Sequence, residues 1–203
     1  MLAQIIAQTQ TLLSSITTLT GNLSSQVNSL VNASLLQIPI IAAQIQTTAT
    51  QLNTKLQTTL ATFLSNITSG VSQAGTLLQG TADDITANLN NVVQGVVDSA
   101  HGIVTGIANT VGTLQAQITA LQAHGTAAAT AEAANLQTQL TGVVASCQTE
   151  LNSALAELTR LQTELTTSVG TLTGTAQTTA QQSLTAVNAA IAQIKVSFHR
   201  VLH

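Results

Sequence analysis

The sequence predicts an all-α protein, an elongated antiparallel bundle of about four to five long amphipathic helices. Apolar residues recur at intervals of three and four along nearly the whole chain, which places them on one face of a helix. Strict apolar–polar alternation never persists, so no segment is predicted as a strand. Apolar residues make up 44% of the 203 residues and aromatic residues only 1%, which indicates an aliphatic core suited to helix packing. We expect one domain, residues 1–203.

The first helix is predicted at about residues 2–36. Gly21 lies inside it, but the apolar spacing continues in phase, so we interpret Gly21 as a tolerated defect costing about 1 kcal/mol relative to Ala. The predicted apolar stripe is Leu2, Ile5, Thr9, Leu12, Ile16, Leu19, Leu23, Val27 and Leu30.

The second helix is predicted at about residues 39–68. Pro39 disfavours helix at the residue before it and suits the first turn of a new helix. After this helix, Gly70, Gly75 and Gly80 predict a break in the chain, and residues 71–79 are either a loop or a short helix. The stripe is Ile41, Ile45, Thr48, Leu52, Leu56, Leu60, Phe63 and Ile67.

The third helix is predicted at about residues 81–123. Thr81 can cap its free amide groups, and Asp83 and Asp84 lie in the first turn, where the helix dipole favours negative charge. The stripe is Ile85, Leu89, Val92, Val96, Ala100, Ile103, Ile107, Val111, Leu114, Ile118 and Leu121.

The fourth and fifth helices are predicted at about residues 127–169 and 175–202. Gly170 and Gly174 indicate either a turn or a kink between them, and the spacing does not decide which. The fourth stripe is Leu136, Leu140, Val143, Cys147, Leu151, Leu155, Leu158, Leu161, Leu165 and Val169. The fifth is Ala176, Ala180, Leu184, Val187, Ile191, Ile194, Phe198 and Val201.

Charge is scarce. Only 5% of the residues are charged, the net charge is −3, and residues 1–54 contain no Asp, Glu, Lys, Arg or His. Nucleic-acid binding is not expected, because it needs clustered cations and the chain has four, Lys55, Arg160, Lys195 and Arg200. A transmembrane span is not expected either. The longest apolar run, residues 35–43, is too short and contains Pro39, and the next candidate, residues 92–111, contains Asp98.

Three glycosylation sequons begin at Asn22, Asn32 and Asn66, and they favour an extracellular, secreted protein. The N-terminus lacks the positive region of a signal peptide, so the chain is either leaderless or has lost a leader. Cys147 is the one cysteine, which excludes an intramolecular disulfide. It falls in an apolar stripe, which indicates a buried small hydrophobe, whereas an exposed Cys147 would permit an intermolecular disulfide.

We expect no catalytic, cofactor or metal site, and therefore no enzyme. Glu150, Glu157 and Glu164 form one line on the fourth helix, and Arg160 can pair with either of the last two, which is typical of a solvated ion-pair face. His199 and His203 are four residues apart, a spacing compatible with a metal, but no glutamate accompanies them in the metalloprotease manner.

Gly102 and Gly106 form a Gly-x-x-x-Gly pattern, which predicts close approach of another helix. The alternative is a pliable helix that opens the bundle, or inserts, when it meets an apolar phase. Thr119, Thr130 and Thr141 keep the 11-residue spacing of ice-binding helices, but Asn152 interrupts it.

These features favour a non-enzymatic bundle that binds an apolar surface, a lipid or a small hydrophobic ligand. In architecture only, these amphipathic helices, each with an apolar and a polar face, resemble those of exchangeable apolipoproteins and insect apolipophorins. The sequence departs from those families because its polar faces lack charge. The alternative is a self-associating structural protein of a fibre, foam or coat, since low charge leaves little repulsion between copies. Ice binding and helical pore formation are weaker alternatives, and a homo-oligomer is left open.

Overall fold

The structure is a computed structural model, which describes the backbone of residues 2–202 and the side chains in this range except residues 2–6, 8, 9, 198 and 200–202. Five helices account for nearly all of it, and the described residues contain no strand. The helices are α1 (Leu2–Val31), α2 (Ile38–Leu78), α3 (Ala82–His124), α4 (Ala127–Thr171) and α5 (Gly174–Leu202). The predicted all-α bundle is confirmed.

The helices form two layers, and the chain zigzags between them. Each helix packs against the helices one and two places away in the sequence, and no other pair of described helices forms an extended interface. Helices α1, α3 and α5 therefore lie side by side in one layer, and α2 and α4 lie in the other. Connections of a few residues make consecutive helices antiparallel, so the helices within a layer are parallel.

Contacts within each layer keep a nearly constant sequence offset. Between α1 and α3, the Gln117 amide donates to the Ser24 hydroxyl at 2.7 Å, 93 residues apart. Between α2 and α4, the Gln57 amide donates to Ser146 at 2.8 Å, 89 residues apart. Between α3 and α5, the Ser183 hydroxyl donates to the Asn90 side-chain oxygen at 2.6 Å, again 93 residues apart. Neighbouring helices of a layer are thus in register at a sequence offset of about 90 residues.

The predicted stripes make the core. Most stripe residues whose side chains are described are buried, several others are half-buried, and Phe63 is completely enclosed. Thr rather than charge covers the outer faces, and most exposed Thr side chains donate to a carbonyl one turn earlier, as Thr54 does to Thr50 at 3.1 Å. These bonds satisfy the hydroxyls within their own helix, which lets long Thr-rich helices present a neutral surface. Leu2, Ile5, Thr9, Phe198 and Val201 lie outside the described side chains.

Two predicted boundaries are wrong. The second helix does not break at Gly70 and Gly75 but continues to Leu78, because Gly70, Val71 and Ala74 are buried and tertiary packing outweighs the low helix propensity of glycine. The first helix ends at Val31 rather than near residue 36. Beyond Leu30 the stripe would place Ala33 or Ser34 inward, which leaves no large apolar side chain to bury in a further turn.

The predicted cap of the third helix is confirmed. The Thr81 hydroxyl accepts from the Asp84 amide at 3.3 Å and donates to the Asp84 carboxylate at 2.8 Å. Gly125, at φ 77°, then ends α3, and Thr126 caps α4 by accepting from Ala129. Gly174 has φ 64° and lies at a turn, whereas Gly170 lies inside α4, so the connection left open by the sequence is a turn.

Candidate functional site

One end of the bundle exposes a compact group of large apolar side chains. Leu35 is 87% exposed, Leu36 is 88% exposed and Ile40 is 62% exposed. The fourth exposed large apolar residue of the described chain, Val196, lies on α5. We call Leu35, Leu36 and Ile40 the apolar tip. Three aliphatic side chains within six residues, turned to solvent together, are unlike the singly scattered apolar residues of ordinary surfaces.

The α1–α2 connection holds the tip outward. The Gln37 and Ile38 amides both donate to the Ser34 carbonyl, at 3.0 and 3.2 Å, so residues 34–37 form a tight turn. Pro39 lies in the first turn of α2, where its missing N–H costs no hydrogen bond. The turn and the proline fix the backbone on both sides of Leu35 and Leu36, and neither side chain has a helix to pack against.

A histidine from the next connection anchors this turn. His124, the last residue of α3, places Nε2 2.7 Å from the Val31 carbonyl and Nδ1 3.2 Å from the Thr126 hydroxyl. Nε2 therefore donates to the Val31 carbonyl at the end of α1, which otherwise has no partner in its own helix. This contact joins the α1–α2 and α3–α4 connections, so both lie at the same end of the bundle as the tip.

This end carries very little charge. In α2 the first ionisable residue is Lys55, about 25 Å along the helix from Ile38 at 1.5 Å per residue. In α3, Asp98 lies about 39 Å from His124. Helix α5 is parallel to α3, and its Ser183 pairs with Asn90, so its last residue, Leu202, lies level with about residue 110 of α3. Helix α5 therefore ends about 20 Å short of the tip. Within about 20 Å of this end, the described residues include one carboxylate, Glu132, and one imidazole, His124.

Glu132 is itself hidden from solvent. The residue is 9% exposed, and Oε2 has no hydrogen-bond partner. Burial raises the pKa of the Glu132 carboxyl, and a hydrogen bond to Asn135 opposes the shift. Desolvation disfavours the charged form of a buried acid, so the structure favours the neutral form here more than water does.

A shallow groove runs beside the tip. It has a volume of about 620 Å³ and lies between Gln26 of α1 and Pro39, Ile40 and Ala43 of α2. The Gln26 side-chain oxygen is buried and has no partner. Together, the tip and the groove form an uncharged, mainly aliphatic surface that could meet an apolar phase.

The residues predicted from the sequence as modification sites differ in their exposure. Asn22 and Asn32 are exposed on or next to α1, whereas Asn66 is 4% exposed in α2, so a glycan at Asn66 is incompatible with the folded bundle. Cys147 is fully buried, which agrees with its interpretation as a core residue. An intermolecular disulfide would need an exposed Cys147. Burial also raises the pKa of its thiol to about 12.

Arg160 pairs with both predicted carboxylates, at 2.9 Å from Glu157 and 3.1 Å from Glu164. Their half-exposed positions fit a solvated ion-pair face. Leu13 of α1 packs against Gly102 and Gly106, and a methyl group at Gly106 would overlap its side chain, so the predicted close approach is confirmed.

No group of three or more potential metal ligands occurs among the described residues. His199 is exposed on α5, and His203, its predicted companion, lies outside the described residues. No described helix has the length and hydrophobicity to cross a membrane.

The sequence showed the run that contains the tip but not its exposure. Residues 35–43 are the longest apolar stretch, and the useful signal was that Leu35 and Leu36 fall out of phase with the α1 stripe.

Comparison with protein-family models, curated sequences and solved structures gave no match.

Proposed function

We propose that the protein is a non-enzymatic, extracellular bundle that associates reversibly with an apolar surface, such as lipid or an air–water interface, through the apolar tip. The observation that carries the proposal is the joint exposure of Leu35, Leu36 and Ile40. Burying a large aliphatic side chain contributes about 1.5–3 kcal/mol, so insertion of these three would contribute roughly 5 kcal/mol before the costs of association.

The scarcity of charge around the tip supports the same function. An ionised group moved into an apolar medium pays a large desolvation penalty unless it is paired or becomes neutral. Helix α1 has no ionisable residue, and Glu132, the carboxylate nearest the tip, has a raised pKa. The tip can therefore enter an interface with little ion desolvation, and the groove beside it offers further apolar contact.

The test is flotation with vesicles of neutral phosphatidylcholine, with surface pressure measured in parallel. The Leu35→Glu/Leu36→Glu variant should lose most binding, because it places two carboxylates on the tip. The matched control is Gln79→Glu/Thr173→Glu, which adds the same charge at exposed positions in the two connections at the opposite end. The control should bind as the natural protein does. Equal binding by both variants, or no binding by the natural protein, would overturn the proposal.

A further inference from the structure

A second uncharged surface, far from the tip, lies on the outer face of the α1–α3–α5 layer. One groove of about 450 Å³ runs between α3 and α5, and another of about 560 Å³ runs between α1 and α3. Both volumes are in the range of small-molecule sites. His101 and Thr105 line both grooves, so the two meet over these side chains.

The junction contains a buried polar atom without a partner. Nε2 of His101 is buried and forms no hydrogen bond in the described structure. Such atoms are rare in folded proteins, because an unpaired buried donor or acceptor keeps its full desolvation cost. The ring as a whole is only half-buried, and its Cβ–Cγ torsion is soft, so a small rotation can present Nε2 to the groove.

Both grooves combine apolar and polar side chains. Val104, Ile194 and Val196 give the α3–α5 groove its large apolar side chains, beside the polar Gln193 and Ser197, and Val196 is 59% exposed. Toward α1, Thr20 and Thr113 line the second groove together with Leu13 and Ile16. An occupant would thus meet the hydrogen-bonding groups of His101 and Thr105 at the junction and could lay an apolar chain against Val104, Ile194 and Val196.

The charge around the grooves selects the kind of ligand. No Lys, Arg, Asp or Glu lines either groove. The nearest ionisable residue on the same helix is Asp98, one turn before His101, whose carboxylate accepts from the Gln94 amide at 2.8 Å. The nearest cation in sequence to the α5 lining residues is Lys195, which does not line the groove. A carboxylate ligand would therefore lose hydration without a charged partner on the lining, whereas a neutral hydroxyl can bond to an imidazole nitrogen.

We infer that the junction at His101 binds an uncharged long-chain alcohol, with its hydroxyl on His101 and its chain against Val104, Ile194 and Val196. This site is separate from the apolar tip and does not depend on the proposed association with interfaces. The ligand class is defined by one neutral hydroxyl and one unbranched apolar chain.

The test is binding of octan-1-ol and octanoate, followed by native mass spectrometry and by nitrogen NMR of the histidine side chains. Octan-1-ol should bind at one saturable site and shift the His101 ring nitrogens, and octanoate should bind at least several-fold more weakly. His101→Leu should lower the octan-1-ol affinity about 3- to 10-fold, the effect of one hydrogen bond.

A matched pair of variants guards against a folding defect in His101→Leu. Thr105→Leu fills the junction and should abolish binding, whereas Thr119→Leu makes the same change at an exposed position of α3 outside the grooves and should leave binding intact. The inference is overturned if octan-1-ol does not bind, if the His101 nitrogens do not shift, or if the two threonine variants bind equally. Loss of vesicle flotation in the tip variant, with octan-1-ol binding unchanged, would separate the two sites.

Discussion

Replacing Gly70 with Ala should destabilise the protein, although Ala is the better helix former. Gly70 is buried in α2, and a methyl group there would overlap the Val96 side chain of α3. Val96 is 1% exposed and β-branched, so it has few other rotamers to adopt within a helix. Overpacking costs about 1–3 kcal/mol, and the gain in helix propensity is about 1 kcal/mol. We expect a net loss of about 1 kcal/mol in the free energy of unfolding.

Gly112→Ala is the matched control, because Gly112 lies inside α3 and nothing approaches the position of a new methyl group. It should gain up to about 1 kcal/mol, so the two variants should differ by roughly 2 kcal/mol. The assay is urea unfolding followed by far-ultraviolet circular dichroism, since the chain has no Trp or Tyr.

A double variant identifies the cause. Val96→Ala alone should cost roughly 2 kcal/mol, because two buried methyl groups are lost. In Gly70→Ala/Val96→Ala the new methyl group occupies part of the vacated space, so the combined loss should be smaller than the sum by about 1 kcal/mol. If Gly70→Ala stabilised the protein as much as Gly112→Ala does, α2 and α3 would not approach as closely as described.

Two further predictions concern buried titratable groups. Because burial raises the pKa of Glu132 above its ordinary value of 4.5, the free energy of unfolding should fall as the pH rises from 4.5 through the raised folded pKa, and then level off. Glu132→Gln should remove this fall, so the variant should be more stable than the natural protein at pH 8 but not at pH 3. Identical pH profiles of urea unfolding for the two proteins would contradict this. With its pKa raised to about 12 by burial, Cys147 should resist iodoacetamide at pH 8 in the native protein and react promptly in urea, whereas rapid native labelling or disulfide-linked dimers would show that the thiol is accessible.

The sequence predicts the later helices well because their ends carry local signals. Thr81 and Thr126 each cap a helix, and Gly125 and Gly174 each occupy a positive φ, so neighbouring residues suffice to place these boundaries. By the same local criteria, Gly70 is predicted to break a helix. In the structure α2 continues through Gly70, because the missing side chain leaves room for Val96 of another helix, α3, and no local pattern can reveal that contact.

The same limit applies to the candidate sites. Leu35 and Leu36 are exposed because α1 ends at Val31, and the carbonyl at that end is bound by His124, far along the chain. The grooves at His101 depend on how α1 and α5 lie beside α3. The stripes predict that helices pack, but they do not give the register between helices, and polar pairs formed at that register, such as Asn90 and Ser183, have no periodic signature.

The two-layer zigzag also has a consequence for how the chain is assembled. Each helix finds all its earlier partners in the two helices made just before it, so a nascent chain can add helices one at a time as they leave the ribosome. Helices that have already packed do not have to separate when the next helix is added. The first and last helices, α1 and α5, form no extended interface with each other. Such a design resembles a repeat array in its growth, because stability accumulates through interfaces between neighbours and a further hairpin could be added without redesigning the helices before it.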